Sequence, residues 1–236
     1  MKRFLIVLGL VLVGNLAQAD FYVMETDVTM VNFWQKNGKD VQKIMEIGTR
    51  IINANKLDKR VPIQMERTPN VINASSAFFD KTVKISSGLL PYIDNDDELA
   101  YILGHEISHS MDSHEGYYKK FAVIANLREY EYKSDLVGID LMVKAGYNPI
   151  AAITCANKWM GESPIDLFFS HPRTSKRLMA MYKYIYVKYP WALKSDMIHN
   201  VNYENFTYTS AKEINAFHLK QKIREEKNKS KDAEEL

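Results

Sequence analysis

The sequence predicts an α+β domain, mostly helical, with a small β-sheet beside one central helix. Apolar residues recur at helical spacing between residues 31 and 55 and again from residue 94 to about residue 188. Between residues 60 and 87 alternation replaces that period. At 236 residues, 46% hydrophobic and 25% charged, the chain can bury a core, which excludes a disordered chain, a collagen-like repeat and a polytopic membrane protein. The 31 Lys and Arg nearly balance 29 Asp and Glu, so nothing in the charge favours nucleic acid or an anionic membrane as a partner.

Residues 1–19 combine Lys2 and Arg3, an apolar run over residues 4–13 and the small-x-small site Ala17-Gln18-Ala19. That pattern predicts a signal peptide cleaved after Ala19, since the run is too short to span about 30 Å of hydrocarbon. The only cysteine is Cys155, so neither an intramolecular disulfide nor a lipid-bearing cysteine near residue 20 is expected. An exported, periplasmic protein follows from these features. Val41, Ile44, Met45 and Ile52 then predict an amphipathic helix, and Val61, Ile63, Met65, Val83 and Ile85 a small sheet with a turn at Asp80-Lys81-Thr82. Breaks in the following helices are expected at Gly146-Tyr147-Asn148-Pro149, at residues 161–164 and at His171-Pro172. Residues 220–236 hold six basic and five acidic residues, the pattern of a solvated helix or frayed tail.

The chemistry concentrates in residues 94–109. Asp94 or Asn95 can cap a helix whose first turn is acidic, while Leu99, Ile102, Leu103 and Ile107 supply a buried stripe. His105 and His109 then sit about 6 Å apart along the axis and about 40° apart around it, so both imidazoles can reach one metal. Glu106 follows the first histidine, where its carboxylate can take a proton from the attacking water without ligating the metal. This His-Glu-x-x-His spacing is a zinc peptidase signature that needs a third ligand. A histidine six residues after His109 would serve, but that position is Glu115. A second helix offers Glu131 and Asp135, four apart on one face, so that one can ligate while the other accepts a hydrogen bond from a ligand imidazole. One zinc per chain is expected, with a fourth position open for water.

These residues resemble the gluzincin family that contains the CAAX prenyl endopeptidases and the HtpX-like heat-shock proteases. Residues 103–109, with His114 beyond them, are similar to its active-site helix, and Asn73-Ala74 with residues 83–90 to its edge strand and Gly-Leu-Leu exit. Glu131-Tyr132-Lys133-Ser134-Asp135 resembles its Glu-x-x-Ala-Asp motif, Ala145-Gly146-Tyr147-Asn148-Pro149 the loop after it, and Ser170-His171-Pro172 with Arg177 its Thr-His-Pro-x-x-x-x-Arg element. The resemblance covers residues 60–190 and implies a zincin-like metallopeptidase of the soluble periplasmic branch. It divides the chain into a signal peptide (1–19), an N-terminal helical segment (20–59), a zinc metallopeptidase core (60–190) and a C-terminal extension with a charged tail (191–236).

The resemblance selects Glu131 over Glu129 as the third ligand and sets Asp135 and Arg177 behind the ligands. Ser134 and Ser170 depart from the family's alanine and threonine, and being small they are expected to leave zinc binding unaltered. His114 is expected to pack rather than ligate. For His171 three roles stand open: a donor to the oxyanion, a fourth ligand that latches the site, or a helix cap with Arg177 fixing the loop to a carboxylate. The implied activity is hydrolysis of peptide bonds in exported or envelope proteins, for protein quality control, with peripheral association with envelope proteins. An extended peptide is expected to pair along the segment at Val83 and Ile85. The competing function is a zinc-stabilised, chaperone-like binding factor whose peptidase is latent.

Overall fold

The computed structural model describes residues 28–57, 61–76, 81–112, 127–159 and 174–234. Helix α1 (Val28–Ala54) buries Ile44, Ile47 and Ile51, a row at spacings of three and four, against the sheet and the central helix. The strands β1 (Ile63–Glu66), β2 (Ala74–Ser76) and β3 (Val83–Ser86) form one sheet in the order β1-β3-β2. β1 runs parallel to β3, pairing Ile63 with Val83, and β2 runs antiparallel to it, pairing Ala74 with Ile85.

β3 is therefore hydrogen-bonded on both sides, with Val83 and Ile85 fully buried. This corrects the expectation that an extended peptide pairs there: an interior strand has no unmatched N–H or C=O groups to offer. Among the described residues, β1 and β2 are the outer strands. The loop before β2 is held by Ser86, whose hydroxyl donates to the Val71 carbonyl at 2.7 Å and accepts from the Asn73 N–H at 2.9 Å.

Helix α2 (Asp96–Asp112) starts at a reciprocal cap. The Asn95 side chain accepts from the Glu98 N–H at 2.9 Å, and the Glu98 carboxylate accepts from the Asp94 N–H at 3.0 Å. The narrow apolar stripe expected of α2 is wider in the fold. Every residue from 98 to 110 except His109 is buried, because α1, the sheet and two later helices surround the helix.

Helix α3 (Leu127–Lys144) turns Glu131, Ser134, Asp135, Gly138, Ile139 and Met142 inward, one face at helical spacing. It lies unusually close to α2. A Cβ on Gly138 would stand 2.8 Å from the His105 backbone nitrogen, and one on Gly104 2.7 Å from the Gly138 carbonyl oxygen. Two glycines facing each other thus set the distance between the two helices that carry the chemistry.

α3 ends at Gly146, whose φ of 89° only glycine adopts cheaply. Asn148 then caps α4 (Ile150–Trp159), accepting from the Ile150 N–H at 3.0 Å. Helix α5 (Thr174–Lys188) buries Leu178, Met179, Met181, Tyr182 and Ile185. Helices α6 (Val201–Thr209) and α7 (Ala211–Glu234) complete the chain, adding Tyr203, Phe206 and Ile214 to the same apolar core. The charged run is thus helical through Glu234, with an exposed surface at residues 222–228. Among the described residues no helix is long and apolar enough to cross a membrane.

Candidate metal centre

His105 and His109 lie one turn apart in the second half of α2, and Glu131 reaches them from the first turns of α3. The ring nitrogens Nε2 of the two histidines are 3.0 Å apart. Glu131 Oε2 is 3.6 Å from His105 Nε2, and Oε1 is 3.3 Å from His109 Nε2. Donors that share one tetrahedral zinc at about 2.0–2.1 Å stand about 3.3 Å from each other, so the three observed separations bracket that value. Two imidazole nitrogens and a carboxylate are also the donor chemistry zinc takes. The residues fit the ion.

The far side of each imidazole is held as well. His105 Nδ1 lies 3.0 Å from Asp135 Oδ1, and His109 Nδ1 lies 3.1 Å from Ser134 Oγ. With a proton kept on each Nδ1, both Nε2 lone pairs face the common point. Asp135 is in turn clamped by Arg177 of α5, whose Nε and Nη2 donate to it at 2.7 and 2.6 Å, and it accepts from the Tyr101 hydroxyl at 2.8 Å. Arg177 Nη1 also lies 3.4 Å from Glu131 Oε2.

The electrostatics follow from burial and pairing. Burial alone would make His105 harder to protonate, but the carboxylates of Asp135 and Glu131 outweigh it and push its pKa up to about 10. For Asp135, burial opposes ionisation, and Arg177 and His105 overcome it, lowering its pKa to about 2. Arg177, itself buried, has its pKa raised by Asp135 against the opposing effect of desolvation. Without a metal, the centre is a buried negative pocket that draws a proton onto an imidazole. A divalent cation competes for that same nitrogen.

The fold therefore brings together five expected residues: His105, His109, Glu131, Asp135 and Arg177. Glu106 is buried on α2 directly after His105. Glu129, the rival third ligand, is exposed on another face of α3. His171, His114, Ser170 and the segment 1–19 lie outside the described residues, as do the expected breaks at 161–164 and His171-Pro172.

Two contributors were not singled out from the sequence. Tyr101 stands one turn before His105 and donates to the carboxylate that backs it, a placement that its i, i+4 spacing could have suggested. Gly138 matters through its lack of a side chain, and only its coincidence with Gly104 across the helix crossing reveals it. Ser134 was expected to be passive, yet its hydroxyl touches a ligand imidazole.

Residues 37–119 and 116–185, more than half of the chain, match the model of peptidase family M48. Over 101 residues, 42% of this chain, the sequence is 34% identical to the "Beta-barrel assembly-enhancing protease" of Yersinia pestis. The match spans 20% of that relative's length.

Proposed function

Because the chain belongs to peptidase family M48, a family of metallopeptidases, we propose that it is a zinc-dependent endopeptidase acting on exported or envelope proteins. The observation that carries this reading is the convergence of His105 Nε2, His109 Nε2 and the Glu131 carboxylate at tetrahedral spacing. Those three residues hold the ion. When bound, zinc supplies Lewis-acid chemistry, polarising the scissile carbonyl and lowering the pKa of a water.

The chain's own residues do the rest. Glu106 takes the proton of the attacking water and hands it to the leaving amine. Asp135 keeps the His105 proton on Nδ1, and Arg177 with Tyr101 keeps Asp135 ionised and still. The substrate is protein or peptide in extended form, which can pair with an outer strand of the sheet, β1 or β2. The name of the Yersinia pestis relative points the substrate class towards the envelope. Export with cleavage after Ala19 belongs to the same reading. An intact mass beginning at Asp20 supports it, and exported protein retaining residues 1–19 contradicts it.

Digestion of casein, with and without a chelator and with cut sites read by mass spectrometry, tests the activity. Glu106→Gln should bind zinc normally and lose turnover by about 10²- to 10⁴-fold. Substantial hydrolysis by that variant removes Glu106 from its role, and full biological activity without hydrolysis favours the binding factor.

A further inference from the structure

We propose that Ser134 is a positioning residue for His109: its hydroxyl accepts the Nδ1 proton of that imidazole and thereby leaves Nε2 for the metal. The inference rests on the zinc reading above and concerns how one ligand is aimed.

His109 is the more vulnerable of the two histidine ligands. It sits one turn beyond His105 on α2, further from the capped start of the helix. Its side chain also retains 14% exposure, against 9% for His105. A neutral imidazole has two tautomers, and only the one protonated on Nδ1 presents a lone pair at Nε2. Something outside α2 must select it.

At His105 the selecting group is the Asp135 carboxylate, 3.0 Å from Nδ1. Among the described residues, the polar side-chain atom facing His109 Nδ1 is Ser134 Oγ at 3.1 Å, from a residue with no exposed surface. Tyr130 braces the same ring from the side, with its ring centroid 4.8 Å away and its hydroxyl donating to the His109 carbonyl at 3.3 Å. Neighbouring residues of α3 thus support the two histidines unequally, Asp135 with a charge and Ser134 with a neutral hydroxyl. A neutral acceptor orients the ring without adding to the negative charge of Glu131 and Asp135, which already surround a buried point.

A packing role makes a different forecast, since alanine satisfies the tight α2–α3 crossing as well as serine does. Ser134→Ala and Ser134→Cys both keep the small volume and remove the strong acceptor. In competition with a chromogenic chelator at pH 7, each should bind zinc about tenfold more weakly than the parent, the lower end of the cost of losing a partner behind a metal ligand. The visible absorption of the cobalt-substituted protein should shift in both variants, while thermal unfolding of the chelated proteins stays close to the parent. Ser134→Thr, which keeps the hydroxyl, should restore affinity and spectrum.

Zinc affinities within twofold of the parent for Ala and Cys, with an unchanged cobalt spectrum, overturn the proposal and leave the zinc reading intact. A parent protein that binds no zinc overturns the zinc reading and this proposal with it.

Discussion

At the N-terminal end of α2, Glu98 is fully buried and the protein itself supplies its donors. Its carboxylate accepts from the Asp94 N–H at 3.0 Å, from Lys158 Nζ at 2.5 Å and from the Thr154 hydroxyl at 3.2 Å. Asp97 beside it accepts from the Asn148 N–H at 2.8 Å and so pins the loop before α4. At the other end of the same helix, His105 and His109 point their Nε2 atoms at one another and at Glu131. The first cluster is closed by protein donors, and the second gathers acceptors around a point suited to a cation. Burying polar groups is costly in both places, and what differs is whether the compensating charge belongs to the chain.

Single substitutions at each end give the largest separation. His105→Ala should weaken zinc binding by more than about 100-fold, beyond the usual cost of losing a residue that only backs a ligand. Glu98→Ala should leave zinc affinity unchanged and lower the unfolding free energy by about 1.5–3 kcal/mol, the range for hydrogen bonds to a charged group. Metal analysis paired with denaturant unfolding checks both. Zinc loss in Glu98→Ala would mean that the two ends are coupled.

Gly138→Ala tests whether the helix crossing serves the metal end. The new Cβ would meet the His105 backbone rather than a flexible side chain, so the helices must part. Stability should fall by about 1–3 kcal/mol, with zinc affinity falling too. Lost stability with zinc affinity intact would show that the ligands tolerate the wider spacing.

The charges at both ends are probed by pH dependence, followed by thermal unfolding of the chelated protein. Asp135 is held at about 2, below its unfolded value of 3.8, so its contribution is complete above 3.8 and is lost as the pH falls towards 2. His105 is held at about 10, above its unfolded 6.5, so its contribution is complete below 6.5 and is lost as the pH rises through 10. Zinc replaces the proton on His105 and should abolish the alkaline loss. Asp97 behaves oppositely to Asp135. Burial raises its pKa despite the Asn148 hydrogen bond, so its ionisation weakens the fold as the pH rises through its folded value. Removing Asp97's charge with Asp97→Asn should slightly raise stability at neutral pH, and a marked fall would show that the ion is required.

Much of the centre was legible because it is written in local periods. The separation of His105 and His109 and the shared face of Glu131 and Asp135 follow from 3.6 residues per turn, whatever surrounds the helices. The α1 helix, the alternation at Val83 and Ile85, and the glycine break at 146 were legible for the same reason. The acids at the start of α2 were less so. Read locally, Asp97 and Glu98 suit the helix dipole, but in the fold one pins a loop and the other is a buried ion-pair partner of Lys158, sixty residues later.

The sequence by itself determined which residues are able to bind a metal, because ligand type and helical spacing are properties of the chain. Only the tertiary structure decided how they are used. The strand order put β3 in the interior and β2 at the edge, the facing glycines 104 and 138 brought α3 against α2, and that approach set Asp135 behind His105 and Ser134 behind His109. Those contacts depend on the distance and rotation between two helices, which side-chain volumes across the interface fix and no local period encodes.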